Sequence, residues 1–238
     1  MAESPESATR RRRPRPLGIA VLALCLGILI VSIIGIALRE PEEDPIVITG
    51  VGGVQRLVAG LPQLGNRLGQ DSAPVTVEIF NDLQCKPCRS WQGEVVPPLI
   101  DREVRTGKAK LVFRHFSQSQ RTVTAAAIAA TAAGDQGRQW QYIETFFVNQ
   151  REAINTGVTE EFLTRIARAS AVAFELDAWN AARSRPATEQ QVIEDVTLAE
   201  DRRLPAGAAV VVDGPRGSRT LIQSPSLSQI ERAILAVS

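Results

Sequence analysis

The chain begins its apolar patterning with one unbroken run, Leu17 to Leu38 (LGIAVLALCLGILIVSIIGIAL), which carries no charge. A helix rising 1.5 Å per residue needs about 20 such residues to cross a bilayer core of about 30 Å. Residues 39–72 then lose all sustained period and hold several Gly and Pro. They predict a juxtamembrane linker, with one short strand at Ile46-Val47-Ile48. Val75 to Phe80 (VTVEIF) is rich in β-branched and apolar residues and predicts a strand. From Cys85 the pattern turns helical, with Pro97-Pro98 expected to kink or restart the helix. Lys110 to Phe116 predicts a second strand. TAAAIAATAAG, QWQYIETFFVNQ, TEEFLTRIARAS and EQQVIEDVTLAEDRR follow, with apolar residues at helical spacing. Ala208 to Val212 is strand-like, Asp213-Gly214 with Gly217 signals a turn, and Thr220 to Ile222 returns as a strand. Ser226 caps a closing helix to Val237. The predicted order is β-α-β, a helical block, then β-β-α, an α/β class.

Charge gives the apolar run an orientation. Arg10, Arg11, Arg12, Arg13 and Arg15 precede it, and Glu40, Glu42, Glu43 and Asp44 follow it. Arginines mark the cytoplasmic flank of a span. Residues 1–16 are thus expected as a cytoplasmic basic tail, 17–38 as a transmembrane helix, and everything from 39 onward as extracytoplasmic, at the cell membrane. A cleaved signal peptide would have a shorter core and a small-residue site, and Ala37-Leu38-Arg39 is a poor one. A lipoprotein signal would need a small residue before Cys25, where Leu24 stands, and Pro14-Arg15-Pro16 does not fit a twin-arginine signal. The net charge of +1 gives no case for nucleic acid.

There are three cysteines. Cys25 lies in the apolar run and reads as a small apolar residue. Cys85 and Cys88 form one C-x-x-C in an oxidising compartment. A two-residue gap closes too small a loop to stabilise the chain much, so the pair reads as chemical. Cys85 opens the helix, where unpaired N–H groups and the positive dipole end favour thiolate below the free value of about 8.5. Lys86 adds positive charge, and Pro87 in the first turn costs no helix bond. Zinc would want four ligands, and the second close pair is missing. The single histidine, His115, falls in the second strand and reads as a half-buried packing residue. No metal and no cofactor are expected.

The stretch GNRLGQDSAPVTVEIFNDLQCKPC, then LVFRHF, then AAAIAATAAGDQGRQWQYIETFFVNQ resembles the DsbA-like thiol–disulfide oxidoreductases, in particular their membrane-anchored bacterial branch. The resemblance covers roughly residues 60–237. It implies a thioredoxin fold over 73–238, with a helical insertion at about 118–203 between the second and third strands. It also implies thiol–disulfide exchange on exported proteins, with Cys85 attacking and Cys88 resolving, and it leaves a membrane redox partner as a candidate. Two positions depart from the family. Its third strand opens with a cis proline facing the redox pair; alignment here puts Gly207-Ala208 there, with Pro205 three residues earlier. Many relatives carry a Glu six positions before the first cysteine; here that place is Ile79, and Glu78 points to the other strand face.

The sequence therefore leads to a dithiol–disulfide oxidoreductase, oxidase direction favoured by compartment and by thiolate stabilisation, with Gly207, Ala208 and Ala209 offering backbone to the substrate strand. The alternative is a thioredoxin-fold binding module for a partner or a metal, which the missing proline favours and the intact cysteines oppose. A glutathione-dependent enzyme on the same fold would usually have Ser at the first cysteine.

Overall fold

Seven residues of β-branched and aromatic character, Val75–Asn81, form β3, the strand that organises the domain. The computed structural model describes residues 46–116, 123–205 and 207–238, all within one compact unit that begins at Ile46. The expected span at 17–38 and its flanks lie outside the described residues. Among the described residues no helix is long and apolar enough to cross a membrane.

In chain order the elements are α1 (Val51–Val58), β1 (Gln63–Leu64), β2 (Arg67–Leu68), β3, α2 (Lys86–Leu99), β4 (Ala109–His115), α3 (Ala125–Ala133), α4 (Gln139–Thr156), α5 (Glu160–Ser170), α6 (Leu176–Arg183), α7 (Pro186–Asp201), β5 (Ala209–Gly214), β6 (Gly217–Leu221) and α8 (Leu227–Val237). The strands form one mixed sheet in the order β1-β2-β4-β3-β5-β6. β3 and β4 are parallel and joined through α2, whereas β5 runs antiparallel to β3 and to β6. Ala209 is the register partner of Phe80, so β5 starts where β3 ends.

Alternation along β3 gives each face its own neighbours. Val75, Val77 and Ile79 join the main core with Val96 and Leu99 of α2 and Ile230 and Ile234 of α8. Phe80 instead packs with Ala199 of α7, Leu204 and Val211. Glu78 shares that second face and is 6% exposed. Arg114 of β4 donates to it from Nε (3.0 Å) and Nη2 (2.7 Å), and Arg202 donates from the end of α7. Arg114 also reaches Asp195 of α7 at 3.0 Å, and the His115 N–H donates to Asp195 at 3.1 Å. Burial alone would raise the Glu78 carboxyl; the two arginines outweigh it and hold the group below its ordinary value. Burial pushes Asp195 up to about 6, against the bonds from His115 and Arg114. His115 itself is 3% exposed, more buried than expected, and desolvation drives it down to about 3, so it packs as a neutral ring against Phe113.

The structure corrects two sequence expectations. The stretch 46–72 is folded, not a linker. Ile46 to Ile48 forms no strand, but α1 follows it, and the short β1–β2 hairpin extends the sheet beyond β4. Asn66 at that hairpin's turn exchanges bonds with Phe113 and accepts from Trp140 Nε1 at 2.9 Å, while Arg105 donates to the carbonyls of Leu57 and Ala59. Next, α2 neither breaks nor restarts at Pro97-Pro98 but runs on to Leu99 and widens into a π turn over Ile100–Val104. The carbonyls those prolines free belong to Gly93 and Glu94, both on the exposed side of the helix, where solvent access lowers the cost of the lost bonds. α6, a stretch to which the sequence pattern assigns no element, is anchored by Trp179, whose Nε1 donates to Ala129 at 2.8 Å.

The Glu78 cluster is expected to hold α7 on the sheet. Glu78→Gln should cost about 1–3 kcal/mol, because it leaves two partly exposed arginines without their shared carboxylate. Since the folded value of Glu78 is lowered, its contribution is present above the ordinary carboxylate range and is lost as pH falls through the lowered value. Urea unfolding at pH 7 and pH 4 checks both; an equal midpoint for variant and parent at pH 7 would refute the claim.

Candidate active site

β3 delivers the chain to a turn, Asp82 to Gln84, that closes on itself before α2 begins. The Gln84 N–H donates to Asp82 Oδ1 at 2.8 Å, and the Cys85 N–H to the Asp82 carbonyl at 3.2 Å. Cys85 is the N-cap of α2, with extended backbone (φ −83°, ψ 118°), and its Sγ accepts from the Cys88 N–H at 3.2 Å. A sulfur thus takes the place usually held by a capping oxygen. Pro87 sits in the first turn, where a missing N–H breaks no helix bond. Cys85 and Cys88 are joined as a disulfide, with Cα atoms 5.2 Å apart. Cys88 is 1% exposed and Cys85 is half-buried, so the first sulfur is the one that faces outward. Lys86 and Pro87 are exposed beside it.

The Gly207–Ala209 segment lies where the alignment expects it, at the start of β5 beside the end of β3. Gly207 has φ +103°, a conformation that favours glycine. Ala208 and Ala209 are fully buried, and the Ala208 carbonyl accepts from the Ser224 N–H at 2.8 Å. The methyl groups therefore face the core, and half-buried Gly207 is the part of the segment open to the outside. Among the described residues no peptide bond is cis, that before Pro205 included.

Four further polar residues hold the redox turn and the active-site helix, and the sequence reading passed over all of them. Gln150 of α4, fully buried, donates through Nε2 to the carbonyls of Leu83 (2.6 Å) and Cys85 (3.0 Å). Asn81, at the end of β3, donates to Gln92 Oε1 at 2.9 Å. Gln92 lies one turn beyond Cys88 on the same face of α2 and donates to Glu144 of α4 at 2.7 Å. Glu144 is 4% exposed, and burial pushes its carboxyl up to about 7 against the opposing bond from Gln92. The signal was present: Gln92, Glu144 and Gln150 are polar residues on helix stripes that are otherwise apolar. Ile79 sits in the core with Cys88 and leaves no carboxyl there, while Glu78 is engaged on the opposite sheet face. Among the described residues no group of three or more His, Cys, Asp or Glu is placed to hold a metal ion.

A half-buried sulfur capping a helix, paired with a buried one a turn inside, on a mixed sheet, is an arrangement for accepting and releasing a thiol. A family model described as thioredoxin matches residues 64–216. The chain belongs to the thioredoxin family, and with its intact pair it is a thiol–disulfide oxidoreductase. It is 25% identical over 169 residues to a probable disulfide bond formation protein D of Bacillus anthracis, covering 70% of this chain and 75% of that protein. It shares its fold with oxidised BdbD from Bacillus subtilis (TM-score 0.61, 21% identity, 74% of this chain and 95% of that one). The fold of α-DsbA1 from Wolbachia pipientis is similar too (TM-score 0.60, 19% identity, 72% and 89% covered).

Gln150 is expected to set the shape of the redox turn. Gln150→Leu removes both bonds to the Leu83 and Cys85 carbonyls, leaves buried acceptors short of donors, and should cost about 1–3 kcal/mol. Amide exchange over residues 83–89 should quicken in the variant; unchanged protection there would show that the turn holds itself.

Proposed function

We propose that the protein is a membrane-anchored oxidase that forms disulfides in exported polypeptides through Cys85 and Cys88. The observation that carries this is the half-buried Cys85 sulfur at the start of α2, bonded to the Cys88 N–H and joined to the buried Cys88. In the oxidised state a substrate thiolate attacks Cys85 Sγ, the outward sulfur, and Cys88 leaves as a thiolate, which takes up one of the two protons that the substrate thiols give up. A second substrate thiolate then attacks the substrate sulfur of this mixed disulfide. The substrate disulfide forms, and Cys85 departs as a thiolate held by the helix N-terminus. Two electrons move from the substrate to the pair.

Lys86 favours the Cys85 thiolate by its charge, and Pro87 stiffens the small ring. Of the segment Gly207 to Ala209, Gly207 is the part a substrate strand can reach, since Ala208 and Ala209 are buried. The oxidase direction is supported by the helix N-terminus at Cys85, which favours its thiolate and so the reduced form, and by the similarity to a probable disulfide bond formation protein of Bacillus anthracis. Leu17 to Leu38 with its arginine flank supports a single membrane anchor, amino terminus in the cytoplasm, and hence extracytoplasmic substrates and a redox partner in the membrane.

Reaction of the purified protein with a reduced, unfolded secretory polypeptide tests this. One disulfide should form per turnover of the pair, and Cys85→Ser should abolish it. Alkylation of the reduced protein should label Cys85 before Cys88, and well below pH 8.5. Activity surviving Cys85→Ser, or Cys88 labelled first, would refute the roles. A reporter fused after Ser238 should be active only in its exported form; a cytoplasm-dependent reporter active there would refute the topology.

A further inference from the structure

The chain Asn81–Gln92–Glu144 is a continuous run of buried hydrogen bonds from the root of the redox turn, through the active-site helix, to a carboxyl on α4. Among the described residues no salt bridge reaches Glu144, and Gln92 is its hydrogen-bond partner. This sets it apart from Glu78, whose charge two arginines balance. Gln92, which donates to Glu144 at 2.7 Å, lies four residues beyond Cys88 on the active-site helix, about 6 Å of helix rise. Cys88 is bonded to Cys85. The carboxyl is therefore on the order of 10 Å from the redox pair.

We propose that Glu144 is a positioning residue of the redox centre that takes up the proton left over when the pair is reduced. This rests on disulfide exchange at Cys85 and Cys88. The balance requires such a site. A substrate dithiol that becomes a disulfide gives up two electrons and two protons. The pair accepts both electrons and, ending as Cys85 thiolate and Cys88 thiol, only one proton. The other goes to Glu144 when that group is ionised, and to solvent when it is not. The neutral carboxyl then spares the new thiolate a second negative charge on the order of 10 Å away. Two like charges about 10 Å apart at an effective dielectric constant of about 20 shift an equilibrium by roughly tenfold.

The surroundings leave this coupling to Glu144. The charged groups lining the grooves it faces are Arg89, Glu94 and Asp101 from α2 and its π turn, Arg56 from α1 and Arg151 from α4. Glu144 is the buried member of this set, and burial pushes it up to about 7, into the range where disulfide exchange runs.

The test is the redox equilibrium of the full-length protein against a glutathione or dithiothreitol buffer from pH 5.5 to 8.5, for the parent, Glu144→Gln and Glu144→Asp. Parent and Glu144→Gln should coincide at the acid end and separate above pH 7. There the parent should be about tenfold harder to reduce, about 30 mV for this two-electron couple. Glu144→Asp should restore the separation, which a merely structural role would not do. Infrared difference spectra of the unmutated protein near pH 7 should show a carboxylic acid band appearing on reduction, which needs no variant to fold. Parallel curves for parent and Glu144→Gln, or no such band, would overturn the proposal. A parent pair with no reversible equilibrium at all would instead overturn the reading of Cys85 and Cys88 on which it rests.

Discussion

The first turn of a helix presents backbone N–H groups with no partners inside the helix, and in this protein a sulfur meets part of that deficit. Cys85 Sγ takes the bond from the Cys88 N–H, and most of the surrounding architecture keeps it in position. β3, paired on both sides, fixes where the turn begins. Gln150 ties down the turn's carbonyls from α4. Trp91, on the active-site helix, donates to the Pro225 carbonyl at 2.7 Å and so couples α2 to the chain entering α8. The helical insertion is thus part of the site, because its longest helix supplies both Gln150 and Glu144.

The two faces of the sheet solve the problem of buried charge in opposite ways. Against α7, carboxylates and arginines are packed together, and Glu78 remains charged within a nearly neutral cluster. Against α2, the polar groups form a chain of amides ending in one carboxyl without a cation, where burial favours the neutral form. The second arrangement leaves a group on the active-site side of the sheet able to change its charge as the chemistry proceeds. The same alternation along β3 that directs Ile79 to the core and Glu78 away from it decides which face does so.

Much of this was legible in the sequence, and what was not has definite causes. The long strands, the C-x-x-C at a helix start and the Ser-capped final helix rest on local signals that burial then reinforced. The β1–β2 hairpin was missed because strands of two residues have no period to detect. Its place comes from Asn66 bonding to Phe113 far along the chain. Pro97-Pro98 argued for a break that did not occur, since the freed carbonyls lie on the exposed side of the helix. Asn81, Gln92, Glu144 and Gln150 carry meaning only as a group, and three separate elements bring them together. Each alone looks like an ordinary polar interruption.

The single imidazole of the chain is locked in the core, neutral down to about pH 3. The side chain that most often senses mild acid is thereby removed from service. Between pH 5 and 8 this domain's internal buffering falls to the buried carboxyls Glu144 and Asp195. Acidification in that range erases negative charge from the interior and adds no imidazolium charge to the surface. Such a protein can follow the acidity of its surroundings at its redox centre with little change in the outer potential that solvent and passing polypeptides meet.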